Sequence, residues 1–390
     1  MIPPEYQGRE QTWLKHRVLD EYLSGWAHKL GSVARKMAVK LWYVDCFSGP
    51  WKTRTTDLSD TSIFLGLNAL QAARTTWAEK GVLIQLGAIF IEKDATAFAE
   101  LQKVVAQHAT GIDAHTFHGR FADHLEDIQR LVGNDAAFFL VDPTGWDGAA
   151  MRYIAPLVSR GRRDVLVNVM FDHINRFKDD PRAFLREQMK EFFGLADADI
   201  QAGLGEEELM AFYRERLRTV CGLPYTADLA VPHPTVERTK FRLVVGGHHP
   251  EVLRLFRDVE RKVMGEEAAV VRTEAKERDR LDRSGQMALF DPAPPKESPR
   301  YAAQREEGQR QARNLVPALL RERGPLTYKT IWPIVLQQCH IPEGDLAHLL
   351  AELRTDGVVE VEGLRPRERR VKDEHLVRIN VGAADNTRKR

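Results

Sequence analysis

The feature that most constrains this chain is the alternation, over its first half, of short apolar segments with amphipathic segments of about 10–15 residues. Four of the apolar segments, at 41–44, 83–91, 136–141 and 164–171, have the length and composition of buried strands. Strands separated by helices of this length typically form βαβ units. We therefore predict an α/β fold with a largely parallel, Rossmann-like sheet covered by helices on both faces.

The chain divides into three stretches of different character. Residues 1–264 carry the alternating pattern, interrupted at about 179–218 by charged helical sequence that reads as an insertion. Residues 265–307 are rich in charge and contain several Pro and Ser, as linkers do. Residues 308–390 contain three helical patterns followed by two strands, which predicts a winged-helix domain.

Composition excludes several classes of protein. The 57 Lys and Arg nearly balance the 56 Asp and Glu, so any basic surface must be local. Cys46, Cys221 and Cys339 stand alone, which disfavours a zinc ribbon, an iron–sulfur site and a disulfide framework. We expect no metal site. No apolar run approaches the 18 residues of a membrane span, so a cytoplasmic protein is expected.

Carboxylates stand at the ends of three predicted strands. Asp45 begins the turn "DCFSGP", Glu92 ends the second strand, and Asp142 ends the fourth. Such residues often only cap helices or form turns. However, ligands of open α/β sheets bind outside the carboxyl ends of the strands, where these three would meet. A shared binding site is therefore the favoured interpretation.

The first of these turns discriminates between cofactors. A dinucleotide loop needs several glycines and an immediate helix N-terminus for the pyrophosphate, whereas this turn has one glycine, Gly49. A dehydrogenase is thereby disfavoured. S-adenosylmethionine has no phosphate, and needs an acid near its ammonium group, a bend, and an acid for its ribose. We predict that Asp45, Phe47, Gly49 and Glu92 bind it, with Asp123 near the adenine amino group.

The segment "VDPTGW" is similar to the D-P-P-Y motif of methyltransferases that modify exocyclic amines. In that motif the acid and the next carbonyl accept hydrogen bonds from the amine, and an aromatic ring stacks on the base. Asp142 and Pro143 match the motif, and Trp146 is the candidate stacking residue. Thr144 and Gly145 depart from it, and Trp146 could instead pack on the core.

Taken in order, these segments resemble the three-Cys-motif partner family (TcmP). The resemblance covers most of the chain and rests on "WLKHRVLDEYL", "YVDCFSGPW", "IFIEKD", "FFLVDPTGW", "VNVMFDHINRF" and "LVVGG". It implies a class I methyltransferase-like domain and a partner, a radical-SAM-like protein with the three-cysteine motif. Two positions differ: Trp51 replaces a loop glycine, where its ring could fill the pocket or act as a lid, and Thr144 replaces a phenylalanine.

Further polar residues are weaker candidates for the same site. Lys15 and His16 lie in the opening helix that resembles the family's, and would face the cofactor edge. Asn168, Asn175 and Arg176 lie in or just after the fifth strand, where a substrate would enter.

The C-terminal domain presents opposite charges on two elements. Its third helix is acidic, with Glu343, Asp345, Glu352 and Asp356, and would repel phosphate. The predicted wing is basic and is a candidate nucleic-acid contact through Arg365, Arg367, Arg369, Arg370 and Lys372. A solvated loop or a protein contact is the alternative for the wing.

Together these patterns favour an S-adenosylmethionine-dependent methyltransferase acting on a base amine of DNA or RNA. The alternative from another class is a non-catalytic partner that keeps the fold as a nucleic-acid-binding or assembly module, since fold alone does not establish function.

Overall fold

The computed structural model describes residues 2–49, 53–55, 58–143, 145, 148–171, 174, 180, 182–195, 203–284, 294–364 and 370–380. Within them the chain forms two compact units. The first comprises 1–255 with 270–294, and the second comprises 256–269 with 295–390.

A seven-stranded sheet forms the centre of the first unit. Its strands are β1 (Lys40–Asp45), β2 (Gln85–Glu92), β3 (Asp113–His118), β4 (Ala136–Val141), β5 (Arg163–Val169), β6 (Tyr225–Pro232) and β7 (Thr239–Gly247). They lie in the order β3-β2-β1-β4-β5-β7-β6. The first five are parallel, and β7 is antiparallel to both β5 and β6. The α/β sheet predicted from the alternation is therefore confirmed.

Helices connect these strands where the sequence has helical periodicity. They are α1 (Glu10–Gly31), α2 (Ser62–Ala78), α3 (Ala95–His108), α4 (Leu125–Val132), α5 (Met151–Val158), α6 (Ala183–Phe193) and α7 (Glu206–Val220). Polar caps set two of the starts, since Thr61 accepts from the Phe64 amide and Asp94 from the Ala97 amide. Both α6 and most of α7 fall in the region 179–218.

The core lies on both faces of the central strands, as a parallel sheet requires. Every residue of β4 is buried, as are five of the six residues of β1. Packing is close enough to demand a glycine in β2, because a Cβ at Gly87 would lie 2.3 Å from the Trp42 ring. This rigid layer fixes the positions at which the strands end.

The second unit is built mainly of helices. α8 (Glu251–Glu260) leads into it through a π-helical segment (Arg261–Glu267) and α9 (Ala268–Ser284) follows, spanning both units. Beyond these lie α10 (Pro299–Arg323), β8 (Leu326–Thr327), α11 (Tyr328–Gln338), α12 (Glu343–Thr355), β9 (Val359–Glu362) and β10 (Leu376–Ile379). The three strands form an antiparallel sheet in the order β8-β10-β9. Most of α9 and the start of α10 fall within 265–307.

Candidate functional site

Asp45 ends β1 and braces the turn that follows it. Its side chain is fully buried and accepts hydrogen bonds from the Phe47 amide at 3.1 Å and the Ser62 hydroxyl at 2.6 Å. Burial raises the pKa of Asp45 to about 6, although the Ser62 hydrogen bond acts in the opposite direction. The carboxylate thus holds the loop from behind, and Asp45 does not line either of the two cavities at this edge of the sheet.

Ser48 fastens the same turn to the neighbouring strand. Its amide donates to the Ile91 carbonyl at 2.8 Å, and its hydroxyl oxygen accepts from the Ile91 amide at 3.2 Å. The hydroxyl also donates to the Asp45 carbonyl at 3.0 Å. Sequence reasoning missed this residue, although a small hydroxyl side chain just before Gly49 was a usable signal. These three hydrogen bonds of Ser48 hold the loop against the ends of β1 and β2.

A cavity of about 340 Å³ opens at this edge of the sheet. Its walls include three of the predicted cofactor residues, Phe47, Gly49 and Glu92, together with Phe121 and Asp142. Glu92 is 3% exposed, and one carboxylate oxygen accepts from the Asp94 amide at 2.6 Å. The structure therefore brings a buried acid, a glycine and two aromatic rings together around one space.

Asp123 occupies a different position from these residues. It lies in a 3₁₀ turn, Phe121–His124, is exposed, and caps that turn by accepting from the Arg120 amide at 3.3 Å. The cavity wall is formed instead by its neighbours Phe121 and Ala122. The structure does not bring the Asp123 carboxylate into this wall.

A second cavity, of about 520 Å³, lies beside the first. Phe47, Gly49 and Asp142 line both cavities. The rest of the second wall comes from α1, the β1–α2 loop, the loop after β4 and the adjacent ends of β5 and β7. It includes Lys15, His16, Pro143, Asn168, Met170 and Phe241. We call the 340 Å³ space the Glu92 cavity and the 520 Å³ space the Asp142 cavity.

Asp142 receives a donor on each carboxylate oxygen. Lys15 Nζ lies 2.6 Å from Oδ2, and Asn168 Nδ2 lies 2.6 Å from Oδ1. Burial disfavours the charged form, but the Lys15 charge and both hydrogen bonds prevail and hold the pKa of Asp142 below its usual range. The group is an ionised carboxylate at neutral pH, fixed in orientation by α1 and β5.

His16 and Cys46 are buried next to this edge of the sheet. The His16 ring has Nδ1 2.9 Å from the Tyr6 hydroxyl, and burial, followed by the charge of Lys15, lowers its pKa to about 3. The imidazole is therefore neutral. Cys46 is a free thiol, and burial raises its pKa well above the usual value, which disfavours the thiolate form.

Several predicted residues lie outside the described residues. These are the loop and motif residues Trp51, Thr144 and Trp146, the candidates Asn175 and Arg176, and the wing residues Arg365, Arg367 and Arg369. Of the wing, Arg370 and Lys372 are described. The Arg370 guanidinium lies 4.0 Å from Glu343, and the Lys372 amide donates to the His375 ring at 3.1 Å.

The acidic helix α12 is not a bare negative surface. Arg305 of α10 forms two hydrogen bonds, at 2.6 and 2.7 Å, with Asp345, and Arg313 of α10 pairs with Glu352 and with Asp356. The repulsion expected from the sequence is therefore largely cancelled by a neighbouring helix.

Comparison with known proteins gives distant structural likenesses. No family model matches the chain, and no curated protein does. The O-methyltransferase TomG from Streptomyces achromogenes, in complex with SAM, is 14% identical with a TM-score of 0.30, covering 57% of this chain and 78% of its own. Cofactor-bound Rv0187 from MTB is 10% identical with a TM-score of 0.30, covering 58% and 78%. Loganic acid methyltransferase with SAH is 9% identical with a TM-score of 0.29, covering 76% and 95%.

These likenesses are too weak to support an argument about this chain, so its fold is judged from its own strand order. The mixed α/β unit with its seven-stranded sheet is consistent with the Rossmann-like fold of methyltransferases. Among the described helices, none combines the length and apolar character needed to cross a membrane.

Proposed function

We propose that this protein is an S-adenosylmethionine-dependent methyltransferase that binds its cofactor in the Glu92 cavity and its methyl acceptor in the Asp142 cavity. One observation carries the proposal: the two cavities share Phe47, Gly49 and Asp142 as walls. Groups bound in the two spaces would both lie against these three residues and would therefore be close to each other. Methyl transfer requires such proximity, because the reacting atoms must be held in contact and in line.

The residues of the Glu92 cavity suit this cofactor. Its volume lies within the usual range for small-molecule sites. The buried Glu92 carboxylate would accept from ribose hydroxyls, Gly49 would permit close approach of the backbone, and Phe121 and Ala122 would border the adenine. The cofactor, when bound, supplies an activated methyl group. The chain's own contribution is binding, orientation and the exclusion of water.

The acceptor in this proposal is an amine on a nucleic-acid base, as the likeness of "VDPTGW" to D-P-P-Y implies. Phe241, Met170 and Pro143 line the Asp142 cavity and suit a flat ring. Trp146 remains the predicted stacking residue. A base within a duplex would have to be extruded to reach this space.

We propose further that residues 308–390, within the second unit, form a winged-helix domain. In its support, α10, α11 and α12 are followed by the antiparallel β9 and β10. The predicted basic wing, from Arg365 to Lys372, would contact a phosphate backbone. The proposal retains the cytoplasmic location and the radical-SAM-like three-Cys-motif partner that the TcmP resemblance implies.

The test is calorimetric titration of the full chain with S-adenosylhomocysteine. We expect binding by the wild type and a loss of about 1–3 kcal/mol in Glu92→Ala, which removes the ribose acceptor. The matched control is Glu100→Ala, an exposed acid on α3 paired with Lys103, whose affinity should not change. Absence of binding by the wild type, or equal affinities of all three proteins, contradicts the cofactor site.

A second candidate function is the non-catalytic nucleic-acid-binding or assembly module. The observation that favours it is that both oxygens of Asp142 already have donors within the protein. Tritiated methyl transfer to mixed DNA and RNA, with the presumed partner added, separates the two functions. Cofactor binding without any transfer would support the module.

A further inference from the structure

Asn168 lines the Asp142 cavity and has incomplete side-chain hydrogen bonding. It lies in β5, is 1% exposed and lines the cavity. Its Nδ2 donates to Asp142 Oδ1 at 2.6 Å and lies 3.7 Å from the Met170 sulfur. Within the described part of the chain, no group donates to its Oδ1. Buried polar atoms are nearly always paired, so this acceptor calls for a donor.

The neighbours of Asn168 determine which end of its amide is turned towards Asp142. Lys15 at 2.6 Å stabilises the ionised form of Asp142. An ionised carboxylate can only accept hydrogen bonds, so the amide must turn its NH₂ towards Asp142. The amide oxygen is then left unpaired. Lys15, Asp142 and Asn168 thus fix the orientation of one unpaired hydrogen-bond acceptor in a residue of the cavity wall.

We infer that Asn168 Oδ1 accepts a hydrogen bond from the exocyclic amino group of a heterocyclic base bound in the Asp142 cavity, and that Lys15 and Asp142 are its positioning residues. This inference rests on the proposed function and changes the assignment within it. Asp142 acts through Asn168, which becomes the residue that touches the acceptor. A site built to pair with an N–H group discriminates strongly against analogues that lack it, because the buried acceptor then stays unpaired.

The other residues that line the Asp142 cavity indicate that the ligand contains a ring. Phe47 and Phe241 line the cavity together with Pro143 and Met170. The cavity also contains two cations, Arg9 and Lys15, but each is paired with an acid, Asp60 or Asp142. A neutral, flat group with an N–H donor fits these walls, and adenine and cytosine both supply one.

The inference is tested by titrating the full chain, without cofactor, with adenosine and cytidine. Purine riboside and 2-pyrimidinone riboside, which lack the amino group, are the comparison probes. We expect the wild type to bind at least one amino-bearing nucleoside at least tenfold more tightly than its comparison probe. Asn168→Leu should abolish this preference while affinity for S-adenosylhomocysteine stays within twofold. A wild type without preference, or a preference that survives in Asn168→Leu, overturns the inference.

Asn168→Asp provides a second readout in a side chain of the same shape. The introduced carboxyl group and Asp142 would have to share a proton to stay in contact, as paired carboxylates do. The preference should therefore persist at pH 5 and disappear by pH 9, whereas that of the wild type is constant. A preference independent of pH in this variant contradicts the role of Asn168 Oδ1.

The outcomes separate the inference from the proposed function. Base discrimination without binding of S-adenosylhomocysteine supports the role of Asn168 and removes the methyltransferase. Binding of S-adenosylhomocysteine without base discrimination does the reverse. Lys15→Met should lose the preference as well, because an unpaired Asp142 tends to take up a proton and the amide is then free to turn over. Retention of the preference in Lys15→Met removes Lys15 as a positioning residue.

Discussion

Each end of the parallel sheet has a carboxylate that is largely removed from water, and the pKa values of the two are shifted in opposite directions. At the carboxyl end, the half-buried Asp142 is paired with Lys15, and its pKa lies below the usual range. At the amino end, Asp164 of β5 is buried beside a cavity of about 400 Å³ and accepts from the Tyr22 hydroxyl at 2.9 Å. No cation among the described residues pairs with it, and burial raises its pKa to about 7.

A single helix makes the difference. α1 carries Lys15 to one edge of the sheet and Tyr22 to the other, two turns further along. Burial acts on both carboxylates in the same direction, so the sign of each pKa shift is decided by the partner that α1 supplies. The carboxyl end therefore keeps an ionised carboxylate beside the proposed binding site, whereas the amino end holds an acid that is largely protonated below neutral pH.

The largest effect on stability is expected for Lys15→Met, which leaves the half-buried Asp142 without its cation. We expect a loss on the order of 2–4 kcal/mol in the free energy of unfolding at pH 7, measured by urea denaturation. Asp142 has a depressed pKa, so its stabilisation is present above the unfolded value of about 4 and is lost as pH falls. The difference in the free energy of unfolding between variant and wild type should therefore become smaller towards pH 3. Lys15→Arg is the control and should lose much less.

Asp164→Asn should increase the free energy of unfolding, whereas Lys15→Met should lower it. The folded pKa of Asp164 is raised, so its ionisation costs stability progressively between the unfolded pKa of about 4 and the folded value of about 7. Asparagine can still accept from Tyr22 without that cost. We expect a gain of about 1–3 kcal/mol at pH 8.5 and a smaller gain at pH 5. Equal gains at the two pH values would show that the carboxylate does not titrate in this range.

Ser48→Ala sharpens the comparison at the carboxyl end alone. It removes a buried hydroxyl that bridges Ile91 and Asp45, and should lower stability by about 1–2 kcal/mol. Because the loop beyond it lines the Glu92 cavity, affinity for S-adenosylhomocysteine should also fall. Ser32→Ala removes an exposed hydroxyl bonded to the Lys29 carbonyl and serves as the control in both assays. Equal effects of the two changes would contradict the role of Ser48 in holding the loop.

The smallest effect is expected for Lys29→Met on the same helix. Lys29 pairs with Glu251 at the amino end, but its side chain is 44% exposed. Exposed pairs contribute little, so the change should alter the free energy of unfolding by less than about 0.5 kcal/mol. A loss as large as that of Lys15→Met would mean that burial does not distinguish the two ends.

The sequence predicted the parts of this site that depend on local pattern. An apolar run followed by an acid located the ends of β1, β2 and β4, because strand direction and length follow from the alternation. The same pattern did not reveal that Asp45 turns behind its loop. That orientation depends on Ser62, which lies 17 residues further along the chain.

Contacts across the fold were beyond such reasoning. Lys15 and Asp142 are 127 residues apart, and their pairing depends on how α1 packs on the sheet. The acidic helix α12 shows the same limit, since its charges were readable but Arg305 and Arg313 of α10 could not be assigned to them. Asp123 shows a third case, in which a residue beside the cavity is engaged by its own turn.

The two anchors of α1 also bear on how the chain is made. Tyr22 meets its partner 142 residues later, so this hydrogen bond cannot form until β5 has been synthesised. At translation rates of about 5–20 residues per second, that interval lasts roughly 7–30 seconds. Leu14, Val18, Leu19 and Leu23 of the same helix are all buried in the native fold, and their burial is complete only when the later strands are in place. Contacts between residues far apart in the sequence form slowly, and α1 makes two of them, from Lys15 to Asp142 and from Tyr22 to Asp164.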